Sequence, residues 1–171
     1  MSVRLYYDRW PQYQQRMLDV VATLTDEQLA LRAGPDQWSV WALLAHTAGA
    51  RLYWLCNVLK EPGAEGTPWP DLPDDGWEDD LDHPRTAGEL VFALSSTYAI
   101  IDRVLDAWTP EMLEERFDRT IWDTHQRHSR ASILQRLLTH DAYHVGEVNQ
   151  VLGVHGIEGI YIWRADDQLQ S

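Results

Sequence analysis

The sequence predicts an all-α fold, a four-helix bundle with one long connection between its second and third helices. Three observations carry that expectation. Four long stretches repeat apolar residues at three- and four-residue steps, the stripe of an amphipathic helix. Each follows a short polar residue able to cap it, namely Asp8, Ser39, Thr86 and Ser129. Nothing between them alternates well enough to make a strand system. With 171 residues, 44% of them hydrophobic, the chain is expected to form one domain over 1–171 with a sizeable core.

The first helix spans Tyr6 to Leu24, with Tyr6, Trp10, Tyr13, Met17, Val20, Val21 and Leu24 on one stripe and Gln12, Gln14, Gln15 and Asp19 opposite. Pro11 is tolerable there only in a first turn. Thr25 then caps a short turn of helix, with Gln28 three residues on, and Arg32-Ala33-Gly34-Pro35 ends it. The second helix runs from Trp38 to Lys60 behind Ser39. Its His46 is surrounded by the small residues Ala45, Thr47, Ala48, Gly49 and Ala50, which admit a neighbouring helix or leave room for a ligand. Gly49 costs about 1 kcal/mol of helix stability against alanine unless close approach or a cavity offsets it. By itself, a lone helical histidine is more often structural than a ligand.

Residues 61–85 form the long connection, with four prolines between Pro62 and Pro73. Trp69 and Trp77 suggest that it folds back over the core, as a lid or as a plain crossover. Thr86, with Glu89 in the capping-box position, starts the third helix over Ala87–Trp108, and Thr109-Pro110-Glu111 starts another short turn through about Arg116. Phe117–His128 has no helical period and reads as irregular or extended. His125 and His128 lie there, as loop histidines or reserve metal ligands. Ser129 caps the last helix, Arg130 to about Leu152, which Gly153 is expected to end. Ile160-Tyr161-Ile162-Trp163 of the tail are apolar enough to pack along a groove between helices.

Within the last helix His140 and His144 are four residues apart. That spacing stacks two imidazoles on one face, where each can give a nitrogen to one first-row metal ion. Bundles build sites from inward-facing side chains of neighbouring helices, so His46 can join the pair. Three buried imidazoles without an ion would carry several uncompensated desolvation penalties. Glu147, three after His144, is the candidate acceptor for an imidazole N–H, with a solvated surface acid as the alternative; Asp141 and Tyr143 should point away from the pair's face. Arg51 is a candidate for binding an anionic substrate, or else a surface salt bridge.

The net charge of −13 argues against nucleic acid and anionic membranes as partners. Much of it lies in the run Asp71–Asp82, which lacks the spacing of a twelve-residue calcium loop and reads as solvated. One cysteine, Cys56, excludes an internal disulfide and fits a reducing cytoplasm; packing is its default role. Neither a signal peptide nor a membrane span is expected.

Trp38-Ser39 with Leu44-Ala45-His46, followed by His140-Asp141-Ala142-Tyr143-His144-Val145-Gly146, resembles the DinB/YfiT-like family of bacterial four-helix-bundle proteins. The resemblance runs from the first helix to Leu152. It implies that His46, His140 and His144 ligate one divalent ion, commonly nickel or zinc, and that the protein dimerises. It also implies thiol-dependent transferase or isomerase chemistry on a small-molecule substrate, using a low-molecular-weight thiol such as bacillithiol or mycothiol. Where relatives often carry glutamine near the motif's glycine, this chain has Glu147. A metal-bound hydroxide for hydrolysis, or a non-catalytic metal-binding stress-response role, are the alternatives.

Overall fold

The computed structural model describes residues 1–69, 81–121 and 123–163. These are mostly helical, with five α-helices in chain order: α1 Trp10–Val21, α2 Asp26–Leu29, α3 Val40–Leu52, α4 Ala87–Ala107 and α5 Arg130–Val154. Most of the acidic run, Trp77 and the middle of the 61–85 connection lie outside the described residues.

The expected caps form. Thr25, Ser39, Thr86 and Ser129 each accept a backbone N–H from three residues on through the side-chain oxygen. Gln28, Glu89 and Ser132 return a bond to the cap residue, completing capping boxes at α2, α4 and α5. Asp8 does not cap α1. The chain enters instead through a 3₁₀ turn, Val3–Tyr7, and Pro11 sits in the first turn, where its missing N–H costs nothing.

Two helix ends differ from expectation. α3 passes directly into a π-helical turn, Tyr53–Val58, where the Leu59 N–H donates to the Trp54 carbonyl, and Lys60 stops it at φ +60°. α5 runs through Gly153 and ends at Gly156 (φ +72°). There Ile157 N–H donates to Leu152 O and Gly156 N–H to Gly153 O, the paired bonds of a Schellman stop. Gly153 can be helical because a glycine need not be a terminator; Gly156 supplies the left-handed residue that the stop requires.

The all-α expectation needs one correction. Phe117–His128 lies in an antiparallel hairpin, β1 Arg116–Ile121 against β2 Thr124–Ser129, in register from Arg116↔Ser129 to Ile121↔Thr124. Asp123 turns the corner at φ +59°, a conformation that aspartate tolerates better than most residues. Asp118 and Arg127 face each other across the strands, and Arg127 Nε donates to Asp118 at 2.7 Å. Phe117, Arg119, Gln126 and His128 make one face half-buried, but three of the four are polar, so the apolar–polar alternation that marks such a strand in sequence is absent.

α3 is the central helix, buried along nearly its whole length and packed on both α4 and α5, while α1 packs on α4. The apolar core divides into two clusters. One gathers Met17, Val21, Leu44, Ala48, Leu94, Val145 and Val148; the other gathers Trp10, Leu52, Leu55, Tyr98, Ile101, Ile133 and Leu137. Ile160 of the tail is buried in the first, held by Asn149, whose amide donates to Ile160 O at 2.8 Å. At the level where the clusters meet, α3 and α5 carry Arg51 and Asp141, and the histidines lie close by along the same helices.

Candidate metal centre

The three histidines converge. His46, from the middle of α3, sets its Nε2 3.0 Å from Nε2 of His140, and Nε2 of His144 lies 3.1 Å from the same atom. Ligating nitrogens of all three fall within 4.8 Å of one another, and each residue is partly buried. The small residues around His46 are buried and let α5 come close. Trp38 and the His46 ring meet edge to face, with centroids 5.2 Å apart.

Donor and acceptor arithmetic at this point favours a cation. Glu147 Oε2 lies 2.6 Å from His144 Nδ1, so in the neutral imidazole that nitrogen carries the proton and donates it, and Nε2 presents the lone pair. Burial, helped by the nearby charges of His144, His46, Arg51 and Arg136, pushes the His140 pKa down to about 3, so its imidazole is neutral at ordinary pH. Its Nδ1 is buried without a hydrogen-bond partner. His140 Nε2 therefore faces two other Nε2 atoms with at most one proton of its own. One divalent ion would satisfy all three lone pairs. With metal–nitrogen bonds of about 2.1 Å, ligand nitrogens sit about 3.0 Å apart at right angles and about 3.4 Å apart at tetrahedral angles. The His46–His140 and His140–His144 separations fall in that range, and with all three nitrogens within 4.8 Å of one another the rings are near enough to close on such an ion with small side-chain movements.

Arg51 has a different position from either expected one. Its side chain is 0% exposed, neither open to an anion nor in a surface salt bridge. Nε and NH2 fork onto Asp141 at 3.0 and 2.7 Å, and NH1 donates to Leu94 O at 3.2 Å. Trp10 Nε1 adds a third donor to Asp141 at 2.9 Å. Gln14 joins by donating to the same Leu94 carbonyl at 3.0 Å. The pair is an internal ion pair linking α3 to α5, next in sequence to His140. It could not be read from the sequence, because the five-residue offset of Arg51 from His46 does not reveal which helix faces it.

The reserve ligands stay apart from the centre. His125 lies 3.6 Å from Asp118 and is well exposed. His128 packs on Phe117 and Trp54 in the hairpin wall. Tyr143 points outward, as expected, yet its ring reaches His144 at 5.0 Å and borders two clefts beside the histidines. One, about 770 Å³, is lined by Asp36, Trp38, His144 and Glu147 and carries acids. The other, about 510 Å³, is lined by His128, Arg136, Thr139 and His140 and, among the described residues, carries none. Cys56 is a poor nucleophile: burial pushes its thiol up to about 11, with the Arg103 charge opposing.

Comparison with known proteins agrees with this layout. The profile of the DinB superfamily matches residues 10–148. The fold is similar to the crystal structure of a DinB-like protein from Bacillus cereus, at TM-score 0.66 and 15% identity, over 94% of this chain and 98% of that one. No curated protein matches the sequence.

Proposed function

Because the chain belongs to the DinB superfamily, we propose that it is a divalent-metal-dependent enzyme. In this reading His46, His140 and His144 hold one nickel or zinc ion in a four-helix bundle with a long second connection, and the chemistry is thiol transfer to a small electrophile. The observation that carries it is the meeting of three imidazole nitrogens from two helices beside open clefts. When bound, such an ion lowers the pKa of a thiol or water at its vacant positions.

The chain's own residues supply the rest. Glu147 fixes the His144 ring and its tautomer, and makes Nε2 a stronger donor. The Arg51–Asp141 pair anchors α5 against α3 one residue from His140, so the two ligating helices keep their spacing. Trp38 and Tyr143 wall the approach. The only cysteine is held protonated, so the nucleophilic thiol comes from a separate low-molecular-weight compound. Dimerisation and a cytoplasmic location belong to the same proposal. No helix among the described residues is long and apolar enough to cross a membrane.

The test is metal content and turnover on untagged protein. We expect one ion per chain, lost in His46→Ala and His144→Ala with helicity retained. Conjugation of a small thiol to 1-chloro-2,4-dinitrobenzene should require the loaded form. Stoichiometric metal without turnover by several thiols would leave a metal-binding protein and remove the transferase.

A further inference from the structure

With 27 acidic residues against 14 Lys and Arg, cations are scarce in this chain, and several have carboxylates. Arg4, Arg51, Arg127 and Arg130 each meet one at 3.0 Å or less. Arg119 and Arg136 do not, among the described residues. Arg119 lies on β1 and Arg136 on α5, yet both guanidinium groups rest on the Trp54 ring, at 4.9 and 4.7 Å from its centroid. Arg119 also donates to the Tyr53 hydroxyl, while its NH1 is buried with no hydrogen-bond partner. An unpaired buried cationic N–H is costly, and two guanidinium groups converging on one ring repel each other.

This pair stands beside the centre. Arg136 and His128 line the cleft that His140 also lines, and among the described residues no acid is in its wall. The field there is positive: His128 is held below its usual pKa by burial and then by Arg136 and Arg119. A guanidinium resting on an indole keeps N–H groups free to fork onto a planar anion. The cleft on the other side of Tyr143 carries Asp36 and Glu147, so the two approaches to the histidines differ in sign.

We propose that the hairpin-side cleft is an oxyanion subsite. It takes the carboxylate of a small organic reactant on the edge of Arg136, backed by the charge of Arg119, with the remainder of the molecule directed at His140. The hairpin then serves the subsite, since β1 brings Arg119 to Trp54 and β2 brings His128 to the cleft wall. As an account of the substrate, this rests on the reading of the three histidines as a metal centre. As an account of binding, it can be tested apart from it.

The experiment is calorimetric titration at low ionic strength with benzoate, and with benzamide as its uncharged counterpart, on chelator-stripped and on nickel- or zinc-loaded protein. Arg136 is exposed, so its variants should fold; circular dichroism checks this. Benzoate should bind the stripped protein at least tenfold tighter than benzamide. Arg136→Gln should weaken benzoate at least tenfold, Arg136→Lys should recover part of the loss, and benzamide should be indifferent to both. Equal binding of benzoate and benzamide, or unchanged benzoate affinity in Arg136→Gln, overturns the subsite. Benzoate binding that needs the metal but not Arg136 also overturns it, and leaves the metal centre standing. Arg136-dependent binding in a protein that takes up no metal upholds the subsite and removes the metal reading.

Discussion

Asp141 and His140 are neighbours in sequence with opposite electrostatic demands, and both are met on a single turn of α5. Asp141 is charged and buried, which is tolerable only because Arg51 forks onto it and Trp10 adds a third donor. Removing one partner leaves the other uncompensated. We therefore expect Asp141→Ala to destabilise the protein by about 3–5 kcal/mol in chemical denaturation. Replacing both charges by apolar residues of similar volume should recover much of that loss, and failure to recover it would point to a role beyond charge balance. His140 is kept neutral instead. Its folded pKa, about 3, lies below the unfolded value of about 6.5. Between those values the unfolded chain takes a proton that the folded one refuses, so stability falls with falling pH. Metal-free protein should keep this contribution above about pH 6.5 and lose it progressively towards pH 3, with a shallower decline in His140→Ala. Of these residues, the histidines were legible through their helical spacing and Glu147 through its offset of three. Arg51 was not, because an arginine's partner on another helix leaves no mark in its own neighbourhood.

Among the elements, α5 carries two of the three histidines, the buried aspartate and Arg136, so its register matters most. Its start is fixed by Ser129, which accepts from Ser132 N–H. Ser129→Ala should cost about 1 kcal/mol, read as a lower denaturation midpoint with unchanged slope. The four capping residues that held, Thr25, Ser39, Thr86 and Ser129, were readable because a cap is a local arrangement between residues three apart. Ends set by backbone geometry were less so. Gly153 and Gly156 look alike in sequence, and only the hydrogen bonds of Ile157 and Gly156 choose between them. The hairpin was least legible: its strands bear charged and polar residues on both faces, and its half-buried residues Phe117, Arg119, Gln126 and His128 include only one apolar side chain.

At the scale of the molecule, two apolar clusters support the helices, and the histidines join α3 to α5 near the level where the clusters meet. The clusters do not depend on the imidazoles, so the stripped protein should remain folded. An ion bound only by the folded state adds stability by mass action, about 2.7 kcal/mol at a free concentration one hundred times its dissociation constant. Thermal unfolding should therefore rise with added zinc or nickel in the native chain and stay flat in His46→Ala. The mostly helical class and the family were legible because helical periodicity and the two histidine motifs persist over most of the chain. The charge difference between the two clefts was not, since it arises only where α5, the hairpin and the α2–α3 connection come together. The most direct test of the central claim is anomalous diffraction at the absorption edge of the metal that copurifies with untagged protein. The account predicts one strong peak within bonding distance of nitrogens from His46, His140 and His144. No peak there, or a peak that one of the three histidines does not reach, would contradict it.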